Sequence, residues 1–120
     1  MFMPKCADSG KPLSLPVLHI LLALADGDRH GYAIKQEVER RTDGAIRLGP
    51  GTLYEAIQRL EEAGLIAEAD GAAPAHGQEA QRRYYRLTDR GIDALRREVR
   101  QLGRLVDEAR ANPRLGKGLA

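Results

Sequence analysis

Apolar residues follow a helical spacing through the first half of the chain. Residues 14–25 are apolar at nearly every position, which predicts a helix buried on more than one side. In residues 31–42, Ile34 and Val38 stand one helical turn apart among charged positions, which predicts an amphipathic helix. A third predicted helix begins at Pro50 and carries one apolar stripe, formed by Leu53, Ile57 and Leu60.

The pattern changes after Gly64, which ends the third helix. Residues 65–69 and 82–87 are each typical of a short strand, and residues 70–81 between them are small or polar and lack periodicity. Two short strands around such a segment predict a β-hairpin with a long tip. On the second strand, Tyr85 and Leu87 share one side and are expected in the core, whereas Tyr84 is expected to pack against a helix.

A long final helix follows Thr88, whose hydroxyl can cap it. Its apolar residues recur at alternating spacings of three and four, the heptad spacing of helices that pack along one another. A helix this long would protrude unburied from so small a domain, so we expect a homodimer to which the all-apolar first helix contributes. The predicted dimerisation residues are Leu18, Leu21, Leu22, Ile92, Leu95, Val99, Leu102 and Val106.

Together these elements predict a mainly α fold with a small β-hairpin, a winged helix-turn-helix of order α-α-α-β-β-α whose last helix is long. We expect a flexible arm at residues 1–13, a DNA-binding domain at 14–88, a dimerisation helix at 89–111 and a flexible tail at 112–120. In such a fold the third helix would enter the major groove of DNA.

Composition and charge add limited information. The net charge of +2 argues only weakly for nucleic acid, but residues 82–104 contain eight arginines and three acidic residues, a local basic patch. The single cysteine, Cys6, allows no disulfide within the chain and fits a reducing compartment. The longest apolar run, residues 15–25, is too short to cross a bilayer, so we expect a cytoplasmic protein without membrane contact.

No motif indicates catalysis, a cofactor or a metal. His19, His30 and His76 stand far apart and lack the spacing of a metal-binding motif, and the segment 49–51 lacks the lysine of a phosphate-binding loop. We expect His30 to shape the start of the second helix and His19 to be packed or to lie at an interface. The chain is therefore expected not to be an enzyme.

The outward side of the third helix carries residue types that can contact DNA. If its apolar stripe faces inward, Gly51, Thr52, Tyr54, Glu55 and Gln58 lie on or near the outward side. Gln58 can pair with adenine, Glu55 can accept from cytosine, and Thr52 can contact phosphate or a thymine methyl. Tyr54 can donate to phosphate, and Gly51 allows a close backbone approach. From this helix alone, ordinary solvated positions explain the same residues equally well.

Four motifs make the chain resemble one family. They are HGYAI at residues 30–34, LGPGTLY at 48–54, LEEAGLI at 60–66 and RRYYRLT at 82–88. In this order and spacing they resemble the second helix, the entry to the recognition helix, the helix–strand junction and the second wing strand of PadR-type transcriptional regulators. The LEEAGLI segment alone is common to many winged helices, whereas the four motifs together are specific.

The resemblance implies a homodimeric repressor that binds double-stranded DNA at a palindromic operator. It implies DNA contacts from Thr52 and Tyr54, and backbone contacts from wing residues such as Arg82 and Arg83. A small-molecule effector is a further expectation, although the chain lacks the tryptophan with which some short members hold flat aromatic compounds. Residues 70–81 also depart from the pattern, because they contain no Lys or Arg.

Two other hypotheses remain open at this point. The nearly neutral third helix and the non-basic wing tip would also fit a winged-helix adapter that dimerises and docks a protein without reading DNA. A MarR-type regulator is a third possibility, but those regulators usually build the dimer from helices on both sides of the domain, and residues 1–13 are too short for one.

Overall fold

The structure, a computed structural model, describes residues 13–69 and 83–119. Predictions for Cys6, His76, Arg82 and the wing tip lie outside the described residues. The elements confirm the predicted mainly helical winged-helix fold. In chain order they are α1 (Leu15–Ala25), β1 (Arg29–His30), α2 (Gly31–Arg41), α3 (Pro50–Glu62), β2 (Ile66–Glu68), β3 (Tyr84–Leu87), α4 (Asp89–Ala111) and a 3-10 helix (Gly116–Leu119).

Side-chain caps fix where α1 and α4 begin. The Ser14 hydroxyl accepts a hydrogen bond from the amide of Val17 at the start of α1. The Thr88 hydroxyl accepts from the Gly91 amide at 3.0 Å and donates to the Gly64 carbonyl at 2.6 Å, which ties α4 to the end of α3. Each cap satisfies an amide that a helix leaves unpaired, so the predicted starts at Ser14 and Thr88 are confirmed.

The core lies where the first three helices meet. The inward stripe of α3 is buried as predicted, and Tyr85 of β3 is buried with it. Burial of each aliphatic side chain contributes about 1.5–3 kcal/mol, so this cluster is the main source of stability. Its fully buried side chains are Ile20, Leu21, Ile34, Val38, Leu53, Ile57 and Ile66.

The sheet has three strands rather than the two of the predicted hairpin. Strand β1 pairs antiparallel with β3, with Arg29 opposite Tyr85 and His30 opposite Tyr84, so the strand order is β1-β3-β2. A strand of two residues is too short to produce an alternating pattern, which is why the sequence did not predict it. Because β1 leads directly into α2, this pairing joins the wing to the start of the second helix.

Helix α1 is covered largely by its own chain, which corrects two predicted dimer contacts. Leu18 and Leu21 are 4% and 0% exposed, so they belong to the core of one chain and offer no surface to a second. A helix that is apolar on all sides has the same pattern whether its own domain or a partner covers it. Leu22 is half-buried, and Leu15 is 56% exposed.

The chain turns back after α4. The Gly116 amide donates to the Asn112 carbonyl, and the 3-10 helix then packs against α4. This short helix lies within residues 112–120, for which the sequence predicted a flexible tail. Leu115, which precedes this helix, and Leu119 at its end are exposed.

Candidate DNA interface and dimerisation surface

Helix α3 presents a polar face opposite its buried stripe. Gly51, Thr52, Glu55 and Gln58 are all exposed, so four of the five residues predicted to read DNA on this helix lie on the surface. A Cβ atom at Gly51 would meet nothing within 4 Å, so no contact within the chain requires glycine there. The structure therefore leaves the first turn of α3 open to an approaching molecule.

Tyr54 is placed differently from the other four residues. It is half-buried, and its ring packs against the core and against the start of α2. A Cβ atom added at Gly31 would lie 2.7 Å from the Tyr54 hydroxyl oxygen and 3.1 Å from two ring carbons. Gly31 therefore provides the space that the Tyr54 ring occupies, and this packing brings the start of α2 beside the exposed turn of α3.

His30 shapes the start of α2, as predicted. Its Nδ1 accepts a hydrogen bond from the Ala33 amide at 3.1 Å. The ring of Tyr84 meets the His30 ring edge-on, with centroids 5.3 Å apart. Tyr84 thus packs against His30, the residue that caps α2, whereas the sequence predicted that it packs against a helix.

Two residues near this cap were not singled out from the sequence. Tyr32 is exposed, and Lys35 Nζ lies 5.9 Å from the centre of its ring. Lys35 also pairs with Glu39 at 2.9 Å. Tyr32 belongs to the HGYAI motif, so its position in that motif was the available signal.

The base of the wing combines one arginine and two carboxylates. Arg83 Nη1 lies 3.1 Å from Glu68 Oε2, across the β2–β3 pair. Burial raises the pKa of Glu61 on α3, and the negative charge of Glu68 raises it further, whereas Arg83 lowers it. The predicted DNA contact Arg83 therefore stands beside carboxylates on its own chain, while Arg82 lies outside the described residues.

A network of ion pairs joins α2 to the end of α1 and to strand β1. Glu37 accepts hydrogen bonds from Arg40 at 2.5 Å and from Arg41 at 2.8 Å, and Arg41 also pairs with Asp26 at the end of α1. The Arg29 guanidinium lies 4.0 Å from Glu37. The hydrogen bond from Arg40, followed by that from Arg41, lowers the pKa of Glu37 to about 2 against the opposing effect of burial. This network joins α1, β1 and α2.

Helix α4 carries an apolar surface, the α4 stripe, which its own chain covers only at one end. Leu95 is 8% exposed and packs in the core of its own chain, so a third predicted dimer contact is corrected. The predicted heptad positions beyond it, Val99, Leu102 and Val106, lie at the surface. Leu105, which lies beside the heptad positions, is 60% exposed and was not predicted. We define the α4 stripe as the exposed residues Ile92, Val99, Leu102, Leu105 and Val106.

A groove runs between the end of α1, strand β3 and helix α4. Its volume is about 920 Å³. Apolar side chains, including Leu22, Leu87 and Ile92, form much of its wall. Charged residues also line it: Asp26, Asp28, Arg86, Arg96 and Arg100. Leu22 thus lies where the exposed side of α1 meets the α4 stripe.

The described residues hold no group of three His, Cys, Asp or Glu side chains that could bind a metal ion. Within residues 13–69 and 83–119, no helix is long and apolar enough to span a membrane.

Comparisons with known proteins agree with this geometry. Residues 20–97 match the transcriptional regulator PadR-like family. The chain is 37% identical over 91 residues to the transcriptional regulator Rv3488 of Mycobacterium tuberculosis, covering 76% of this chain and 78% of that protein. It is also 38% identical over 86 residues to an uncharacterized 37.1 kDa protein in transposon TN4556 of Streptomyces fradiae. That match covers 72% of this chain but only 22% of the transposon protein.

A solved structure extends the similarity to the fold. The crystal structure of a PadR family transcription regulator from Clostridium difficile superposes with a TM-score of 0.58 at 27% identity. The superposition covers 79% of this chain and 97% of that one. The family match over residues 20–97 begins within α1 and ends in the first part of α4.

Proposed function

Because the chain belongs to the PadR-like family of transcriptional regulators, we propose that it acts as a homodimeric repressor that binds a palindromic operator and responds to a small-molecule effector. Membership of this family establishes DNA-binding regulation of transcription; the dimer, the symmetry of the operator, repression and the effector are the proposal. The observation that carries it is the exposed polar face of α3 beside the open first turn at Gly51.

The polar face of α3 supports sequence-specific contact with base edges. Gln58 and Glu55 lie one turn or less apart and offer the amide and carboxylate groups that pair with adenine and cytosine in the major groove. Thr52 stands at the start of the helix, where a phosphate is favoured by the unpaired amides and the helix dipole. Tyr54, with its ring fixed against Gly31, has little side-chain freedom to lose when its hydroxyl meets DNA.

The exposed apolar surface supports a dimer. The α4 stripe extends well beyond the part of α4 that contacts the domain, and it continues through Leu22 onto the exposed side of α1. His19 lies on that side, between Leu15 and Leu22, and its buried Nδ1 has no hydrogen-bond partner among the described residues. A second copy packed along both helices would remove the apolar residues from water, which is the main driving force for stable dimers.

The groove supports an effector. A volume of about 920 Å³ lies within the range of small-molecule sites, and its walls combine apolar side chains with a few charged groups. The groove lies between α1 and α4, the helices proposed to meet the second copy. A molecule bound there would change the spacing of the two α3 helices, and with it the fit to the operator.

A gel-shift titration tests the proposal. The purified chain is titrated with DNA from immediately upstream of its own gene, with scrambled competitor, at two salt concentrations. We expect saturable binding that survives the competitor and weakens as salt rises, since phosphate contacts release counterions. Binding that scrambled DNA removes equally well, for this DNA and for sequences selected from a random pool, would contradict sequence-specific regulation and favour an adapter.

A further inference from the structure

Arg83 lies at the base of the wing, where its guanidinium is paired with a carboxylate of its own chain. Its guanidinium pairs with Glu68 at 3.1 Å, and both side chains are more than half exposed. An exposed ion pair of this kind is weak, so a stronger partner can replace it. A DNA phosphate is such a partner for arginine, because it offers bidentate hydrogen bonds.

A second carboxylate stands close to the same pair. Glu61 on α3 is half-buried, and the charge of Glu68 is one cause of its raised pKa, whereas Arg83 acts in the opposite direction. Arg83 therefore offsets repulsion between two acidic residues on neighbouring elements. When Arg83 turns away from Glu68, that repulsion is no longer offset.

We propose that Glu68 competes with DNA phosphate for Arg83 and so lowers the affinity of this chain for DNA. The inference rests on the proposed role of Arg83 as a phosphate contact. Glu68 acts through Arg83 and is a positioning residue without a contact to DNA of its own. The competition acts on every DNA sequence alike, because phosphates carry no sequence information.

The test is a double-mutant cycle on DNA affinity with Glu68→Gln, Arg83→Gln and the double variant. The full chain is titrated with an operator fragment and with random-sequence DNA of equal length at several salt concentrations. Arg83→Gln is expected to weaken binding and to reduce the salt dependence by about one released counterion. Glu68→Gln is expected to tighten binding to both DNAs about two- to fivefold, the range of an exposed ion pair.

In the Arg83→Gln background, Glu68→Gln is expected to leave affinity unchanged, because there is no arginine left to compete for. An equal gain in both backgrounds would overturn the inference, since it would mean general repulsion of DNA by Glu68. Weaker or unchanged binding by Glu68→Gln alone would overturn it as well.

The controls separate this inference from the proposed function. Glu108→Gln removes an equal charge from an exposed position on α4 and is expected to leave affinity unchanged. If the wild-type chain does not bind the operator fragment more tightly than random DNA, the proposed function itself is refuted. Operator binding that Arg83→Gln does not weaken would leave that function intact and refute the competition alone.

Discussion

Two glycines in helices of this chain, Gly91 and Gly51, differ in the space around them. A Cβ atom at Gly91 would lie 2.1 Å from the carbonyl oxygen of Leu65, so α4 can approach the end of α3 only because residue 91 has no side chain. At Gly51, the same atom would meet open space. Glycine is thus required by the fold at Gly91, whereas no contact within the described chain requires it at Gly51.

The first prediction compares alanine at these two positions. Gly91→Ala is expected to lower the free energy of unfolding by about 1–3 kcal/mol, because backbone must move to make room. Gly51→Ala, in a helix with open space, is expected to leave that free energy unchanged or raise it by up to about 1 kcal/mol. Urea unfolding measures both, and equal effects at the two positions would contradict the described packing of α4.

The second prediction concerns the hydroxyl of Tyr54. Because the Tyr54 ring packs against the core, replacement by alanine would disturb the fold as well as any DNA contact. Tyr54→Phe keeps the ring and is expected to weaken operator binding about two- to tenfold through loss of one hydrogen bond. Tyr84→Phe makes the same chemical change at the ring that meets His30 and serves as the control. Equal affinities for wild type and Tyr54→Phe would refute the assigned phosphate contact.

At the scale of elements, the helices and their buried sides could be predicted from the sequence, but several contacts between elements could not. The spacing of Leu53, Ile57 and Leu60 specified which side of α3 is buried, because helix geometry is local. The β1–β3 pairing, the Tyr54–Gly31 contact and the Arg83–Glu68 pair each join residues far apart in the chain. Their formation depends on how close the elements come, which no local spacing encodes.

The third prediction concerns the ion pairs that join α1, β1 and α2. The pKa of Glu37 is about 2 in the folded chain, below its ordinary value of 4.5. A lowered carboxyl pKa stabilises the fold at pH values above 4.5, and this contribution is lost as pH falls from about 4.5 toward 2. Stability should therefore fall across that acidic range.

The free energy of unfolding of the Glu37→Gln variant, measured at several pH values, isolates the contribution of Glu37 to stability. The variant is expected to lose about 2 kcal/mol of stability at pH 7, the size of hydrogen bonds to a charged group. Its difference from wild type should shrink as pH falls from about 4.5 toward 2, because Glu37 becomes protonated first in the unfolded chain and then, around pH 2, begins to do so in the folded chain. Asp93→Asn, which removes one partner of an exposed pair with Arg96, is the control and should change little. A difference that stays constant from pH 7 to pH 2 would contradict the lowered pKa.

At the scale of the whole molecule, the α4 stripe holds five of the nine large apolar side chains that are exposed among the described residues. The heptad spacing predicted four of the five stripe residues, all but Leu105. It also assigned Leu18, Leu21 and Leu95 to a partner, whereas they are buried in the chain's own core. Composition alone cannot tell which surface covers an apolar helix. The stripe and the exposed side of α1 remain as the surface proposed for a second copy.

The fourth prediction tests that surface. Leu102→Glu puts a carboxylate in the middle of the α4 stripe and is expected to weaken dimerisation about 100-fold or more, because an unpaired charge would be buried. Arg104→Glu puts the same group at an exposed position on the side of α4 opposite Leu102, outside the stripe, and should leave dimerisation unchanged. Sedimentation velocity over a range of concentrations measures both, with circular dichroism to verify folding. A dimer that tolerates Leu102→Glu would refute the proposed interface.

Selection of binding sites from random DNA by the purified chain tests most directly whether two copies of α3 read DNA together. We expect enrichment of a palindrome whose half-sites are centred about 10 base pairs apart, or a multiple of that helical repeat, since two α3 helices would enter successive major grooves on one side of the duplex. Failure to enrich any sequence, or enrichment of a single site without two-fold symmetry, would contradict a symmetric dimer that reads DNA through α3.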